Sequence, residues 1–202
     1  MNATPIAQSV SIALRSDLVI WIDLETTGLD VDDNMRGMHK HKIIEIGMHI
    51  TDENYNVIDK GFEVVIHHEK ETILPLMNDY VTNMHTTSGL LDRIEQSTVT
   101  LEMAEQMMID YINSFNIEHG KCPIAGNNVS FDKNFIDAQM PAFAKVLHYR
   151  KLDVSSFKIL AWHQFPKEAE QVVKQMKHRG LEDIQESIAE LKHYMNTIMK
   201  QK

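Results

Sequence analysis

Cysteine is almost absent from this sequence, which has only Cys122 among its 202 residues. A single thiol cannot form an internal disulfide, and this usage is typical of proteins from a reducing compartment. Burial as a small apolar side chain is a simpler role for Cys122 than nucleophilic catalysis. The composition therefore excludes the disulfide-rich secreted class and predicts a cytoplasmic location.

Long apolar runs and several familiar motifs are also missing. Residues 1–17 have too few apolar side chains for a signal peptide or a membrane span, although a weak mitochondrial presequence remains compatible with them. The sequence has no G-x-x-x-x-G-K-[ST] loop, no H-E-x-x-H, no paired C-x-x-C and no G-x-G-x-x-G before a helix. These absences argue against P-loop hydrolases, zinc proteases and dinucleotide-binding folds.

No segment rich in proline, glycine and serine divides the chain, which has only five prolines and eight glycines. With 43% hydrophobic residues, the chain is long enough to bury one substantial core. Strands are predicted near 18–24, 42–50, 57–66 and 122–126, with helical segments between and after them. This order predicts an α/β fold with one domain at 18–202 and a flexible N-terminal segment at 1–17.

Positive charge is scarce, since 20 lysines and arginines stand against 29 acids and the formal net charge is −9. Proteins that bind long nucleic acids usually contact many phosphates with basic side chains. The composition therefore argues against a broad basic surface. A nucleic-acid substrate of such a protein is expected to be short and held at a local basic site.

Two acids stand out at the end of an apolar strand. Asp23 and Glu25 follow the apolar residues 18–22 and precede a turn at 26–29. Alternate residues of a strand share one face, about 6.6 Å apart at a rise of roughly 3.3 Å per residue, so both carboxylates point the same way. In open α/β sheets, ligands bind beyond the carboxyl ends of the strands. An isolated pair more often ends a strand at the surface, so a metal site needs further carboxylates.

Two later segments supply more acids. Asp132 follows the short apolar stretch 122–125 and opens a helix-like run. Asp183 lies in the first turn of a predicted amphipathic helix, where an acid suits the helix dipole. His178 precedes Asp183 by five residues, although most of the 11 histidines are expected to be ordinary surface or packing residues. The apolar face of this helix has alternating spacings of three and four and comprises Leu181, Ile184, Ile188, Leu191, Met195 and Ile198.

This combination resembles the DEDDh family of 3′-to-5′ exonucleases, which has four acids in three separated motifs and a histidine five residues before the last acid. Within that family the chain is most similar to the oligoribonucleases, from Leu18 to the C-terminal helix. The resemblance implies a ribonuclease H-like fold, with a mixed five-stranded sheet flanked by helices and the acids at one edge of the central strands. The segments that carry it are 21–25, 42–46, 85–90, 148–150, 152–155 and 182–187.

The acids suit phosphodiester hydrolysis. Two divalent ions about 3.5 to 4 Å apart can activate a water and stabilise charge on the attacking and leaving oxygens. Mg²⁺ and Mn²⁺ favour carboxylates and water as ligands, whereas zinc is the poorer expectation without a cysteine cluster. On this interpretation Asp23, Glu25, Asp132 and Asp183 hold the ions, with Asp23 as the bridge. His178 takes a proton from the attacking water.

The resemblance also implies contacts to a terminal phosphate. Tyr149, Arg150 and Ser155 correspond to residues that cap the 5′ phosphate of a very short RNA across a homodimer interface. Asn128 stands where the family usually has a serine, which weakens the expected phosphate contact there. Composition alone would make residues 148–151 a solvated, charged strand edge.

Contacts to the bases follow from the same resemblance. Leu29 corresponds to an apolar wedge, Tyr80 to an aromatic platform and His85 to a nearby polar contact. Stacking a base on an aromatic ring contributes about 1 to 3 kcal/mol without demanding sequence. Tyr80 stands where the family usually has a tryptophan.

Two further features leave alternatives open. The connection at 30–41 is several residues longer than the family leads us to expect, and it is predicted to be an exposed, solvated loop rather than a substrate cover. With Thr26, residues 25–28 have the sequence Glu-Thr-Thr-Gly, which is also common in proofreading DNA exonucleases. The leading hypothesis is an exoribonuclease that converts short oligoribonucleotides, above all dinucleotides, to 5′-mononucleotides. The alternatives are an exonuclease trimming longer RNA or DNA and a non-enzymatic binding module, which the intact acids and His178 disfavour.

Overall fold

In the computed structural model, which describes residues 13–29, 37–169 and 180–199, five strands form one mixed sheet in the order β3-β2-β1-β4-β5. Strand β2 runs antiparallel to β1 and β3, whereas β4 runs parallel to β1 and β5. The predicted α/β fold with a mixed five-stranded sheet is therefore confirmed. The strands are β1 (Val19–Thr26), β2 (Ile43–Thr51), β3 (Phe62–Val65), β4 (Ile124–Gly126) and β5 (Lys151–Asp153).

Helices pack against both faces of the sheet. In the described part of the chain, none is both long and apolar enough to cross a membrane. The helices are α1 (Gly37–Lys40), α2 (Lys70–Ile73), α3 (Asp79–Thr87), α4 (Leu90–Gln96), α5 (Leu101–Ser114), α6 (Val129–Gln139), α7 (Pro141–Val146), α8 (Val154–Gln164), α9 (Pro166–Ala169) and α10 (Gly180–Thr197), with a 3₁₀ turn at Leu74–Leu76.

Strand β1 is buried on both faces, and its two-residue period divides the core. The even-numbered Ile20, Ile22 and Leu24 belong to the core cluster that includes α5, α6 and α7. The odd-numbered Val19 and Trp21 belong to a second cluster, which packs under α8 and α10. Because Asp23 and Glu25 continue the odd-numbered positions, they reach the face of the sheet that α10 covers.

Three strands differ in detail from the predicted ones. Strand β1 continues to Thr26, two residues beyond the predicted end near 24. The strand predicted near 57–66 is shorter, because the Asp59 carboxylate accepts the Ile50 N–H at 3.0 Å and the chain turns at Gly61 with φ +88° before β3 begins. Residues 151–153 form the edge strand β5, where the sequence indicated only a charged edge.

The N-terminal residues that are described contact the domain at Arg15. Its backbone N–H donates to the Asn116 carbonyl at 2.7 Å, and its carbonyl accepts the Glu118 N–H at 2.8 Å. Residues 1–12 lie outside the described part of the chain. The division into a flexible segment at 1–17 and a domain at 18–202 stays a prediction.

A close backbone contact sets the start of α10 on the sheet. A Cβ added to Gly47 would lie 2.8 Å from the carbonyl carbon of Gly180. We expect Gly47→Ala to destabilise the protein by about 1 to 3 kcal/mol, because α10 must shift. This reverses the roughly 0.5 to 1 kcal/mol that alanine usually gains over glycine inside a strand. Urea unfolding measures the change, and an unchanged or higher stability would show that α10 is not held by this contact.

Candidate active site

Three carboxylates from two elements meet at one point. Asp23 and Glu25 lie on β1, and Asp183 lies in the first turn of α10. One oxygen from each residue lies within 4.8 Å of the other two. The strand period turns the β1 acids toward α10, and the close packing of Gly180 on Gly47 places the first helical turn beside them. Local geometry and one tertiary contact therefore assemble this acid cluster.

Asp132 approaches the same stretch of β1 from α6. It is buried, and its Oδ1 accepts the N–H of Leu24 at 3.0 Å. Burial and the charge of Asp23 raise the pKa of Asp132 well above its usual range. Asp132 therefore lies against Leu24, the residue between the two β1 acids, and one of its oxygens accepts a backbone hydrogen bond.

The electrostatics of the acid cluster are those of a cation site. Burial, together with the charges of Asp23, Glu45, Asp183 and Asp132, raises the pKa of Glu25 to about 9. Without a counter-ion, Glu25 therefore keeps a proton at neutral pH. Hard divalent cations prefer carboxylate oxygens, and positive charge would relieve the repulsion that retains this proton. The donor set thus fits Mg²⁺ or Mn²⁺.

A buried acid that sequence reasoning missed lies directly across from Glu25. Glu45 on β2 is its cross-strand partner, and Arg93 on α4 approaches the Glu45 carboxylate at 2.7 Å. Arg93 also pairs with Glu63. Burial raises the pKa of Glu45 to about 7. The only signal in the sequence was one charge inside the apolar run at 43–46.

The three residues predicted to contact the bases differ in exposure. Leu29 is 68% exposed and Tyr80 is 69% exposed, so both side chains are available to a ligand. His85 is fully buried, and its Nε2 lies 3.1 Å from the carbonyl oxygen of Thr26. This hydrogen bond holds α3, which also carries Tyr80, against the end of β1. His85 therefore supports the site through the backbone in this structure.

The structure brings two predicted phosphate contacts together. The backbone N–H of Asn128 donates to Ser155 Oγ at 2.8 Å and to Asp153 Oδ1 at 3.0 Å. Ser155 N–H donates to the same Asp153 oxygen at 2.9 Å. Asn128 adopts a left-handed conformation with φ 53°, which asparagine tolerates better than most residues. The turn after β4 and the first turn of α8 therefore form one polar corner.

Tyr149 and Arg150 lie just before β5. Tyr149 is 75% exposed, and the guanidinium carbon of Arg150 lies 5.1 Å from the centre of its ring. A guanidinium over an aromatic face is a favourable cation–π arrangement. Both side chains therefore present a basic and aromatic surface.

The 30–41 connection is partly structured, so the exposed-loop prediction is wrong for its C-terminal part. Residues 37–40 form α1, and both Gly37 and His41 are buried. His41 Nδ1 lies 3.1 Å from Thr27 Oγ1, and Gln139 of α6 donates to the His41 carbonyl at 2.8 Å. These contacts fold the segment onto the turn that follows β1. Residues 30–36 lie outside the described part of the chain.

His178 also lies outside the described residues, so its role stays a prediction. A different histidine forms a buried pair with an acid. His49 Nδ1 lies 2.8 Å from Asp59 Oδ1, and His49 Nε2 lies 3.3 Å from Gln185 Nε2. Both ring nitrogens are therefore engaged in contacts within the fold. The contact with Asp59 links β2 to the segment before β3, and the contact with Gln185 links β2 to α10.

Comparison with known proteins gives the class and then the family. Residues 20–191 match the exonuclease family RNase_T, which is the class that the sheet and its acids define. A solved structure of Pop2p from S. pombe in its Mg²⁺- and Mn²⁺-bound form shares the fold, with a TM-score of 0.68 and 11% identity, over 90% of this chain and 84% of that chain.

Sequence relatives are more specific. The chain is 40% identical over 202 residues to a protein named probable oligoribonuclease from Dictyostelium discoideum. This alignment covers 99% of this chain and 100% of the relative. It is also 40% identical over 202 residues to a mouse protein named "Oligoribonuclease, mitochondrial". That alignment covers 100% of this chain and 80% of the relative. The chain therefore belongs to the oligoribonuclease family of exonucleases.

Proposed function

We propose that this chain is a 3′-to-5′ exoribonuclease that converts short oligoribonucleotides, above all dinucleotides, to 5′-mononucleotides. The observation that carries the proposal is the cluster of Asp23, Glu25 and Asp183, with Asp132 beside it, in a chain of the oligoribonuclease family. The net charge of −9 supports a short substrate, because few phosphate contacts then suffice.

The four acids are the residues that would hold two Mg²⁺ or Mn²⁺ ions. When bound, such ions activate a water and stabilise charge on the attacking and leaving oxygens. Glu25 would lose its proton on becoming a ligand, because burial and like charge are what raise its pKa to about 9. The bond from Leu24 N–H to Asp132 Oδ1 fixes the orientation of the remaining Asp132 oxygen. His178 is assigned as the general base from the sequence.

Substrate contacts are proposed from exposed side chains around the acids. Leu29 and Tyr80 offer apolar and aromatic surfaces for bases, and base stacking contributes about 1 to 3 kcal/mol. Arg150 offers charge for a phosphate, with Tyr149 beside it. Ser155 and Asn128 are proposed to contact the same 5′ phosphate.

We also propose a homodimer, with α8 at the interface. Its side chains Ile159, Leu160 and Trp162 are each at least half exposed. Apolar surface of this kind is costly in water unless a partner covers it. A monomer mass in solution at micromolar concentration would count against the dimer and against a phosphate cap shared between two subunits.

The location is proposed to be a reducing compartment. Cys122 is buried and burial raises the pKa of its thiol, as suits a packing residue rather than a nucleophile. The cytoplasm is the leading location, and the name of the mouse relative supports the mitochondrion as the alternative.

Substrate length is the test of the proposed activity. We expect Mg²⁺-dependent release of mononucleotide from a 5′-labelled diribonucleotide to be faster, per phosphodiester bond, than release from a seven-nucleotide RNA. The Asp183→Ala variant should release none, because one of the clustered carboxylates is gone. Rapid trimming of the longer RNA that stalls at two nucleotides would instead support a general exonuclease. No cleavage with Mg²⁺ or Mn²⁺ would support a binding module.

A further inference from the structure

Asn127 lies between two parts of the proposed site that are distant in sequence. It follows β4 directly and precedes Asn128. Its amide nitrogen donates to Ser187 Oγ at 2.7 Å and to Glu190 Oε2 at 3.1 Å, both on α10. Its amide oxygen accepts the Ser155 hydroxyl at 3.3 Å. One side chain therefore joins the helix that carries an acid of the cluster to the proposed phosphate contact.

The α10 side of this bridge is held firmly. Glu190 is almost fully buried, and its second oxygen accepts the Tyr194 hydroxyl at 2.9 Å. Ser187 is also buried and donates to the backbone carbonyl of Asp183 at 2.8 Å. Buried hydrogen-bonded groups resist displacement, because each broken bond leaves a desolvated polar atom. The Asn127 amide is thus fixed relative to α10.

The bond between Ser155 and Asn127 is the weaker part of the bridge. A phosphate can replace Asn127 as the acceptor of the Ser155 hydrogen bond. A serine hydroxyl has one hydrogen to donate, and here that hydrogen goes to the Asn127 oxygen at 3.3 Å. Its oxygen already accepts the Asn128 N–H at 2.8 Å. A phosphate oxygen only accepts hydrogen bonds, so Ser155 can bind phosphate only by turning its hydrogen away from Asn127. A charge-assisted bond to phosphate is stronger than the long bond that it replaces.

We propose that Asn127 is a positioning residue for the terminal phosphate of the substrate. Its amide, held by Ser187 and Glu190, keeps the Ser155 hydroxyl and the Asn128 backbone in place until the hydroxyl donates its hydrogen bond to the phosphate. It also fixes the distance between this phosphate contact and the helix of Asp183. Asn127 is not one of the four acids that would hold the cations. This inference rests on the proposed function.

Asn127→Ala tests the proposal with a 5′-phosphorylated diribonucleotide as the probe. We expect its KM to rise about tenfold, because the Ser155 hydroxyl and the Asn128 backbone are no longer held in position for the phosphate, with kcat within about twofold. A diribonucleotide without the 5′ phosphate should show a much smaller change in KM. Mn²⁺ binding, followed by calorimetry, should stay within about twofold of wild type, since the four acids are untouched.

Two further variants separate positioning from simple stability. Tyr111→Phe removes a hydrogen bond of the same kind, from a tyrosine hydroxyl to the Asp59 carboxylate, at a place outside the Asn127 bridge, so it is the matched control and should leave both KM values unchanged. Asn127→Asp keeps an oxygen toward Ser155 but loses the donor to α10, and it should bind the phosphorylated substrate no better than Asn127→Ala. Circular dichroism and thermal unfolding establish that each variant is folded.

The outcomes distinguish this inference from the proposed function. If wild type neither binds Mn²⁺ nor cleaves the dinucleotide, the proposed function fails. If wild type cleaves it but Asn127→Ala shows equal KM changes with and without the 5′ phosphate, Asn127 has no phosphate-specific role. Wild-type behaviour of Asn127→Asp would show that only the oxygen facing Ser155 matters and that the link to α10 does not. A similar rise in KM in Tyr111→Phe would show that the effect of Asn127→Ala reflects a general loss of packing.

Discussion

Replacing Glu25 with glutamine is expected to abolish hydrolysis while making the cation-free protein more stable. The substitution keeps the size of the side chain but removes a charged oxygen from the acid cluster. Cations at such sites supply several kcal/mol of transition-state stabilisation, so loss of one ligand should lower kcat by roughly 10³-fold or more. Cation-induced stabilisation, measured as a rise in Tm on addition of Mn²⁺, should disappear with the activity.

The gain in stability follows from the raised pKa of Glu25, which lies at about 9 instead of 4.5. A carboxyl group whose pKa is raised on folding stabilises the folded state fully below its unfolded pKa. That contribution is lost as pH rises toward the folded value. Cation-free wild type should therefore lose stability between about pH 5 and about pH 8, and Glu25→Gln should lose less. Near neutral pH the variant should be more stable by roughly 1 to 3 kcal/mol.

Urea unfolding in EDTA at several pH values, with kinetics in Mg²⁺, measures both parts of the prediction. Glu53→Gln makes the same chemical change on an exposed residue and should alter neither activity nor the pH dependence of stability. A Glu25→Gln variant that is less stable than wild type would mean that Glu25 is held by favourable contacts. The acid cluster would then not be a repulsive cation site.

The parts of this site that could be predicted from the sequence are those fixed by local periodicity. The two-residue period of β1 turns Asp23 and Glu25 to one face, and the apolar spacing of α10 places Asp183 in its first turn. Asp132 likewise lies in the first turn of α6. Each placement needs only the period of one element and its direction, whereas the grouping of four separated acids into one site came from the resemblance to the DEDDh exonucleases.

The supporting contacts could not be predicted in this way. Glu45 faces Glu25 through strand register, and its partner Arg93 comes from a helix 48 positions later in the chain. The bridge through Asn127 requires α10 to pack beside the turn after β4. These contacts depend on how distant elements pack, and the sequence alone does not fix that arrangement.

Replacing His178 with alanine is the second large effect that we expect. The histidine precedes the first residue of α10, Gly180, by two positions and Asp183 by five, so it is close to Asp183 in sequence. A general base typically contributes 10² to 10⁴-fold, so turnover should fall by about that factor. Mn²⁺ binding should be largely retained, because the carboxylates that hold the ion are intact. Single-turnover cleavage of a diribonucleotide, with calorimetry of Mn²⁺ binding on the same sample, measures both.

His119 provides the matched control, because it is an exposed histidine that bonds Asn113. His119→Ala should leave turnover and Mn²⁺ binding unchanged. If His178→Ala loses Mn²⁺ affinity along with turnover, His178 is a ligand, and the proton must pass from the attacking water to another group. If turnover is unchanged, no base is needed at this position, and lowering of the water pKa by the cations accounts for the nucleophile. Comparing the loss of turnover with the loss of Mn²⁺ affinity therefore distinguishes a general base from a metal ligand.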